Sequence, residues 1–307
     1  MTNFQLTLLS LLNNMSLTKE NKMAVGGYSL PADFQCITPQ FLSLLEECSY
    51  EERIERIYRH ITGKNLPENA FSNLEGAEFP ASVASIDQGL SVLELFDGKN
   101  ANYTDYIVSG DSYVEIVSFA CVIISAYVDL VSGGVISRGE KINLAFNGDD
   151  GRILLSSYFL KLLKLPVDVV IIGTEKPVDG LYKDIYIQSP MEGEVATLIS
   201  GVYEDLDYLL DPLSTYGLVS YDLYYGDYDD DRVTLLLALA SPYLYARQVL
   251  KYAFSINEIS VDKAVKMLNE LTAVDVPSGI ERGELQPFFK TNSPLSIKGG
   301  LEIIKSL

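Results

Sequence analysis

"KINLAFNGDDGRILLSSYFLKLLKLPVDVVIIGT", residues 141–174, is the stretch on which the fold turns. "KINLAF" has the apolar character of a strand, and "NGDDG" breaks it with a glycine-bearing turn. "RILLSSYFLKLLKL" then has the length and composition of a helix. "VDVVIIGT" is almost wholly apolar, as strands are when both faces of a parallel sheet are covered. Strand, turn, helix and strand in this order make a right-handed βαβ unit, with "KINLAF" and "VDVVIIG" as neighbouring parallel strands. The class is therefore α/β, with one central, mainly parallel sheet carrying helices on both faces.

Working outward, "LSVLELF" (residues 90–96) reads as a further short strand and "RVTLLLALASP" (232–242) as another. The longest uncharged run, "IVSFACVIISAYV" (116–128), lies in a helix over 112–131 and is too short to cross a bilayer. "TPQFLSLLEE" opens a helix with Thr38 as N-cap and Pro39 in the first turn. "SYEERIERIYRHITG" repeats the device: Ser49 caps, Glu52 completes a capping box, Ile54, Ile57, Tyr58 and Ile61 form one apolar face, and Gly63 ends it. "PYLYARQVLKYAF" and "SVDKAVKMLNELTA" are helices, as is the segment 1–22, which lacks the basic start and cleavage site of a signal peptide. The organisation is a helical segment over 1–90 followed by an α/β region over 91–307, in one continuous globular unit. "DYDDD" (227–231) reads as a solvated acidic turn.

Composition narrows the function. The chain has 307 residues, 48% hydrophobic and 21% charged, which suffices for a large core. With 42 acidic and 23 basic side chains the net charge is -19, a field that repels nucleic acid and anionic lipid surfaces. Cys36, Cys48 and Cys121 have no metal spacing, and their odd number suggests a reducing, cytoplasmic setting. His60 is the only histidine, so histidine triads and His-rich metal sites are excluded, and no metal ligand set is expected. Near a helix end, His60 reads as solvated or as a cap.

Several blocks, in order, resemble threonine synthase, a pyridoxal-phosphate (PLP) enzyme of the fold-type-II class. "MAVGGYSLPADF" with "SYEERIERIY" is similar to the family's N-terminal Gly-Gly turn and helices, and "SVLELFDGKNANYTDY" to the segment bearing its Schiff-base lysine. "DSYVEIVSFACVIISAY" resembles its Asn-Ser-Ile-Asn helix, and residues 141–174 its phosphate-loop βαβ unit. "LLDPLSTYGLVSYDLY", "LALASPYLYARQVLKYAF" and "LNELTAVDVPSGI" resemble its C-terminal blocks. The resemblance implies a tryptophan-synthase-β-like architecture and PLP as cofactor.

The chain departs from that family where its chemistry resides. The lysine position falls on Thr104, whose hydroxyl cannot form an imine. Lys99, five positions earlier, reads as a solvated loop lysine. The phosphate turn reads Gly148, Asp149, Asp150, Gly151; a helix N-terminus attracts an anion, but these carboxylates would repel it, and Asp149 or Asp150 reads as the helix cap. The threonine facing the pyridine nitrogen has become Leu239, ahead of Ala240 and Ser241, and the histidine of the Asp-Pro-His-Thr segment has become Leu213. Between Tyr106 and Asp111 there is no room for the family's small substrate subdomain, and "SGD" (109–111) reads as a turn. A second shortening falls near Asp205 to Leu210, and the family's Ser-Thr-Arg-Gly stretch is absent.

These correlated losses imply a degenerate member without a catalytic residue or bound PLP: a pseudoenzyme that binds a protein partner or small molecule. Two alternatives stand beside it. One is a divergent acid–base or metal enzyme using a vacated cleft lined by Tyr103, Thr104, Asp149, Asp150 and Ser241. The other is an ordinary threonine synthase. Loss of the subdomain would bare "VLELF" and the apolar helix from Ser112, which points to a homodimer or other protein partner as cover.

Overall fold

The computed structural model describes residues 34–72, 74, 89–96, 103, 107, 109–178, 182–272, 276–277, 280 and 295–306. In chain order the elements are α1 (Pro39–Leu45), α2 (Tyr50–Thr62), β1 (Leu90–Glu94), α3 (Ser112–Ser132), β2 (Ile142–Asn147), α4 (Gly151–Leu162), β3 (Val167–Gly173) and β4 (Ile185–Gln188). There follow α5 (Glu192–Leu206), α6 (Pro212–Tyr228), β5 (Thr234–Ala238), a 3-10 turn (Pro242–Tyr245), α7 (Ala246–Phe254), α8 (Val261–Thr272) and α9 (Ile297–Ser306). The helix expected over 1–22 lies outside the described residues.

The five strands lie in the order β1-β5-β2-β3-β4, and all their pairings are parallel. "KINLAF" and "VDVVIIG" are neighbours as expected, with Ala145 opposite Ile171 and Phe146 opposite Ile172. Alternation along each strand divides the core. Leu144, Phe146, Val170, Ile172, Leu235 and Leu237 join the larger cluster with α3 and α4. Ala145, Ile171, Leu236 and Ala238 face the other way, towards Val202 of α5 and Leu210, Leu218 and Tyr224 at and within α6. Helices cover both faces, as a parallel sheet requires.

The helix caps expected at Thr38, Ser49 with Glu52, and Gly63 are present, Gly63 with a left-handed φ of 68°. The apolar face of α2 enters the same core cluster as the sheet and α3, so the N-terminal helices and the α/β region share one interior. His60 is half-exposed and is not a helix cap: its Nε2 lies 3.0 Å from the Cys36 carbonyl and its ring stacks on Phe41 at 3.8 Å. The acidic run 227–231 is also not wholly solvated. Asp230 is buried and accepts from Asn143 Nδ2 (3.1 Å) and the Tyr224 hydroxyl (2.9 Å), and pairs with Arg232 (2.7 Å). The anchor is a strand asparagine that the local sequence of the loop does not contain.

Helix α3 is apolar and long enough to span a membrane, but 89% of its most apolar window is buried inside the protein. Helices α1, α2 and α4 pack against it. A bare face on this helix was the reason to expect a second chain over it, and the chain itself provides that cover. The three cysteines are free thiols, with Cys121 buried in α3.

Candidate functional site

The turn after β2 is closed by bonds to the end of β3 and to the last side chain of β2. Gly148 N–H donates to the Gly173 carbonyl at the end of β3 (2.8 Å), and Asp149 N–H to Asn147 Oδ1 (2.9 Å). A Cβ on Gly148 would stand 2.1 Å from Ile172 Cγ2, so the approach of the turn to β3 requires glycine. Asp150 is the N-cap of α4, its Oδ1 accepting from Arg152 N–H (2.9 Å). Ile153 N–H donates to the Asp150 carbonyl (3.2 Å).

A further donor is met from the far end of the chain. Gly151 N–H donates to the Leu295 carbonyl (2.9 Å), and a Cβ at Gly151 would lie 2.5 Å from the Ser296 carbonyl oxygen. Helix α9, which follows at once, packs along α4. Its Gly300 sits so close that an added Cβ would be 3.2 Å from the Gly151 carbonyl oxygen. The N–H groups of Gly148, Asp149, Gly151, Arg152 and Ile153 thus all have protein acceptors.

Behind the turn lies a buried charged cluster. Arg152 grips Asp150 through Nε (3.1 and 3.0 Å to the two oxygens) and Nη2 (2.6 Å), and reaches Glu115 of α3 with Nη1 (2.7 Å). The Tyr103 hydroxyl donates to Asp150 Oδ2 (2.6 Å), and Tyr103 N–H to the Leu239 carbonyl beyond β5 (3.0 Å). Burial first, then the Asp150 charge, pushes the Tyr103 phenol well above its ordinary range, so it serves as a proton donor in a fixed bond. The cluster ties the segment after β1, the first turn of α3 and the first turn of α4 into one knot.

Of the residues expected to line a cleft, Tyr103 and Asp150 are brought together, but inside the protein, at 2% and 1% exposure. Ser241 is also buried and caps the 3-10 turn, accepting from Tyr243 N–H (3.4 Å). Asp149 is half-buried beside Asp150. Thr104 and Lys99 lie outside the described residues. "SGD" ends in the N-cap of α3: Asp111 Oδ1 accepts from Tyr113 (2.9 Å) and Val114 (3.2 Å) N–H.

Arg152, Glu115 and the Leu295–Ser296 segment were not anticipated from the sequence. A signal for the first two exists: Glu115 and Arg152 are lone charges of opposite sign at the starts of two apolar helices. For the third, "KGG" at 298–300 marks a helix able to lie close to another, without saying which.

A second polar knot holds α6. Asp211, its N-cap, accepts from Leu213 N–H (2.9 Å), Ser214 N–H (3.1 Å) and the Ser214 hydroxyl, whose oxygen accepts from Leu239 N–H (2.8 Å). Burial raises Asp211 to about 6 against the pull of those donors.

Asp149 is raised to about 6 by burial and then by the charge of Glu175. The folded chain therefore holds this proton more tightly than the unfolded one. Its contribution to stability is fully present below 3.8, falls as pH rises to about 6, and is gone above. Asp149→Asn is accordingly expected to be more stable than the parent at pH 7.5, with the advantage shrinking to nothing near pH 4. Asp211 titrates in the same window but is unchanged in the variant, so the difference between two urea-denaturation series isolates Asp149. An advantage independent of pH would refute the assignment.

No protein-family model matches the chain, and no curated protein matches it. Solved structures do. PLP-bound threonine synthase from Brucella melitensis superposes with a TM-score of 0.54 at 14% identity, over 88% of this chain and 96% of that one. Threonine synthase from Escherichia coli gives 0.54 at 12% identity, over 84% and 91%. The fold is that of threonine synthase. Yeast threonine synthase matches less of it, with 14% identity, a TM-score of 0.41 and 53% of this chain against 48% of the yeast chain, so the matched part spans about half of that enzyme.

Proposed function

We propose that this chain carries the threonine-synthase fold as a binding protein and does not use PLP. The observation that carries the reading is the start of α4: its N–H groups are engaged by Leu295, Asn147, Gly173 and Asp150, the last a carboxylate. A phosphate there would have to displace the Leu295 carbonyl, meet the closely packed Ser296 carbonyl beside Gly151, and approach the Asp150 carboxylate. The residues present do not fit a phosphate. Thr104 at the position of the family's lysine adds to this, since the resemblance leaves no amine there to form an imine. The Brucella relative is PLP-bound, which makes PLP the ligand to test.

Titrating the purified protein with PLP and recording its absorption is expected to give the spectrum of free PLP alone. Borohydride treatment followed by mass spectrometry is expected to find no stoichiometric pyridoxyl adduct. A stoichiometric adduct that is lost in Lys99→Ala would overturn the reading, because it would place the missing amine at Lys99.

Asp149 supports a second reading, acid–base chemistry, because burial and the neighbouring Glu175 charge push its carboxyl up to about 6, close to neutral pH. Among the described residues no group of three His, Cys, Asp or Glu side chains is placed to hold a metal beside it. The binding reading needs only the scaffold and a surface. The partner it implies is a protein, a second copy of the chain, or a small molecule.

A further inference from the structure

A cavity of about 270 Å³ opens between α1 and α2, with Phe41, Leu44 and Leu45 on one wall and Arg56, Arg59 and His60 on the other. Three observations distinguish it from ordinary surface. First, Leu44 is 65% exposed at its rim while Leu45 beside it is fully buried, so apolar surface continues from the core to solvent. Second, His60 bonds to the Cys36 carbonyl and stacks on Phe41, so the two walls are tied together at one end. Third, Arg56 and Arg59 hold no carboxylate among the described residues, whereas Arg53, one turn earlier on the same helix, pairs with Asp129 at 2.5 Å. None of the lining residues is acidic, in a chain whose net charge is -19.

We infer that this groove docks a short acidic segment of a protein partner. One apolar side chain of the segment seats against Phe41, Leu44 and Leu45, and its carboxylates meet Arg56 and Arg59. The volume sets the scale: it lies below the roughly 300–1,000 Å³ of small-molecule sites and suits a single anchoring side chain. A few anchoring side chains carry most of the energy of an interface, and arginine is enriched among them. The acidic field of the rest of the chain does not forbid it, since at physiological salt charges are screened beyond about 8 Å and the segment senses the two arginines first. The chain's own residues 1–33 are not complementary, because Lys19 and Lys22 balance Glu20 and Asp33. The surface is independent of the turn at 148–151, so the PLP experiment and this one fail separately.

The probe is a fluorescein-labelled peptide, Glu-Glu-Phe-Glu-Glu-Leu, titrated with the full chain and followed by anisotropy. Saturable binding is expected. It should weaken about tenfold or more in the double variant Arg56→Glu with Arg59→Glu, and likewise in Leu44→Ser. Glu-Glu-Ser-Glu-Glu-Ser and Ser-Ser-Phe-Ser-Ser-Leu should each bind more weakly than the parent peptide. All the substituted residues are solvent-facing, and circular dichroism checks that the variants are folded. Absence of binding, or binding unchanged by the arginine variants, overturns the proposal. So does a light-scattering mass above the monomer that drops to the monomer in the arginine variant, since the occupant is then a second copy of this chain.

Discussion

Arg152→Met is expected to cost about 3–5 kcal/mol of folding stability, the usual penalty for removing one partner of a buried ion pair. The Arg152 side chain is 11% exposed, and its partners Glu115 and Asp150 are 10% and 1% exposed. Without the guanidinium, Asp150 keeps the Tyr103 hydroxyl and its cap bond, and Glu115 keeps the Gly110 N–H at 3.2 Å, but neither keeps a counter-charge. For a domain whose net stability is about 5–15 kcal/mol, this is a large share. Arg152→Lys should fall between variant and parent, because an ammonium restores the charge but cannot span both carboxylates as the fork does. Urea denaturation of the three proteins checks it. A loss below about 1 kcal/mol for Arg152→Met would mean that water reaches the cluster and screens it.

Gly173→Ala is expected to be comparably damaging, at about 3 kcal/mol or more, for a steric reason. The added Cβ would lie 2.0 Å from the Tyr216 carbonyl oxygen of α6, and one at Gly217 would lie 2.8 Å from the backbone of Phe146. Both obstacles are backbone, so no side chain can rotate away and α6 must lift from the sheet. Gly193 and Gly201 on α5 provide the contrast. A Cβ at either meets nothing within 4 Å, and alanine there should stabilise by about 0.5–1 kcal/mol, the ordinary helical gain. Thermal denaturation of Gly173→Ala and Gly201→Ala should therefore move in opposite directions. Similar shifts in both would show that α6 tolerates a wider gap than its packing implies.

The contrast between these glycines illustrates what was legible beforehand. Periodicity and caps are local, so the βαβ unit at 141–174, the capping box at Ser49 and the buried run 116–128 could all be read from adjacent residues. Nothing local says that Gly173 touches Tyr216, that Leu295 answers Gly151, or that Asn143 anchors Asp230. These are meetings between distant segments, set by topology. The short strand β4 and helices α5, α6 and α9 were not read as elements. The strand has only four residues (Ile185–Gln188), and α6 carries apolar and tyrosine side chains around most of its circumference, which blurs the helical period. At the candidate site the cap at Asp150 was legible because capping is local. The role of that same carboxylate in a knot with Tyr103, Arg152 and Glu115 was not, since those residues come from three separate segments of the chain.

Strand order also dictates when the sheet can be finished. On a ribosome the N-terminal residues emerge first, yet Leu90 has no partner until Thr234 has been made, whereas Ile142 finds Val167 soon after. The nascent protein can thus assemble β2, β3 and β4 early while β1 waits, and until residue 238 is out the inner edge of β2 stays open, its apolar neighbours uncovered. Bare edges of this kind recruit other chains, and closing so long a loop is slow. Fragments released before β5 should therefore be insoluble or chaperone-bound, and the cell's demand for folding assistance should fall sharply once the fifth strand slides in between the first and the second.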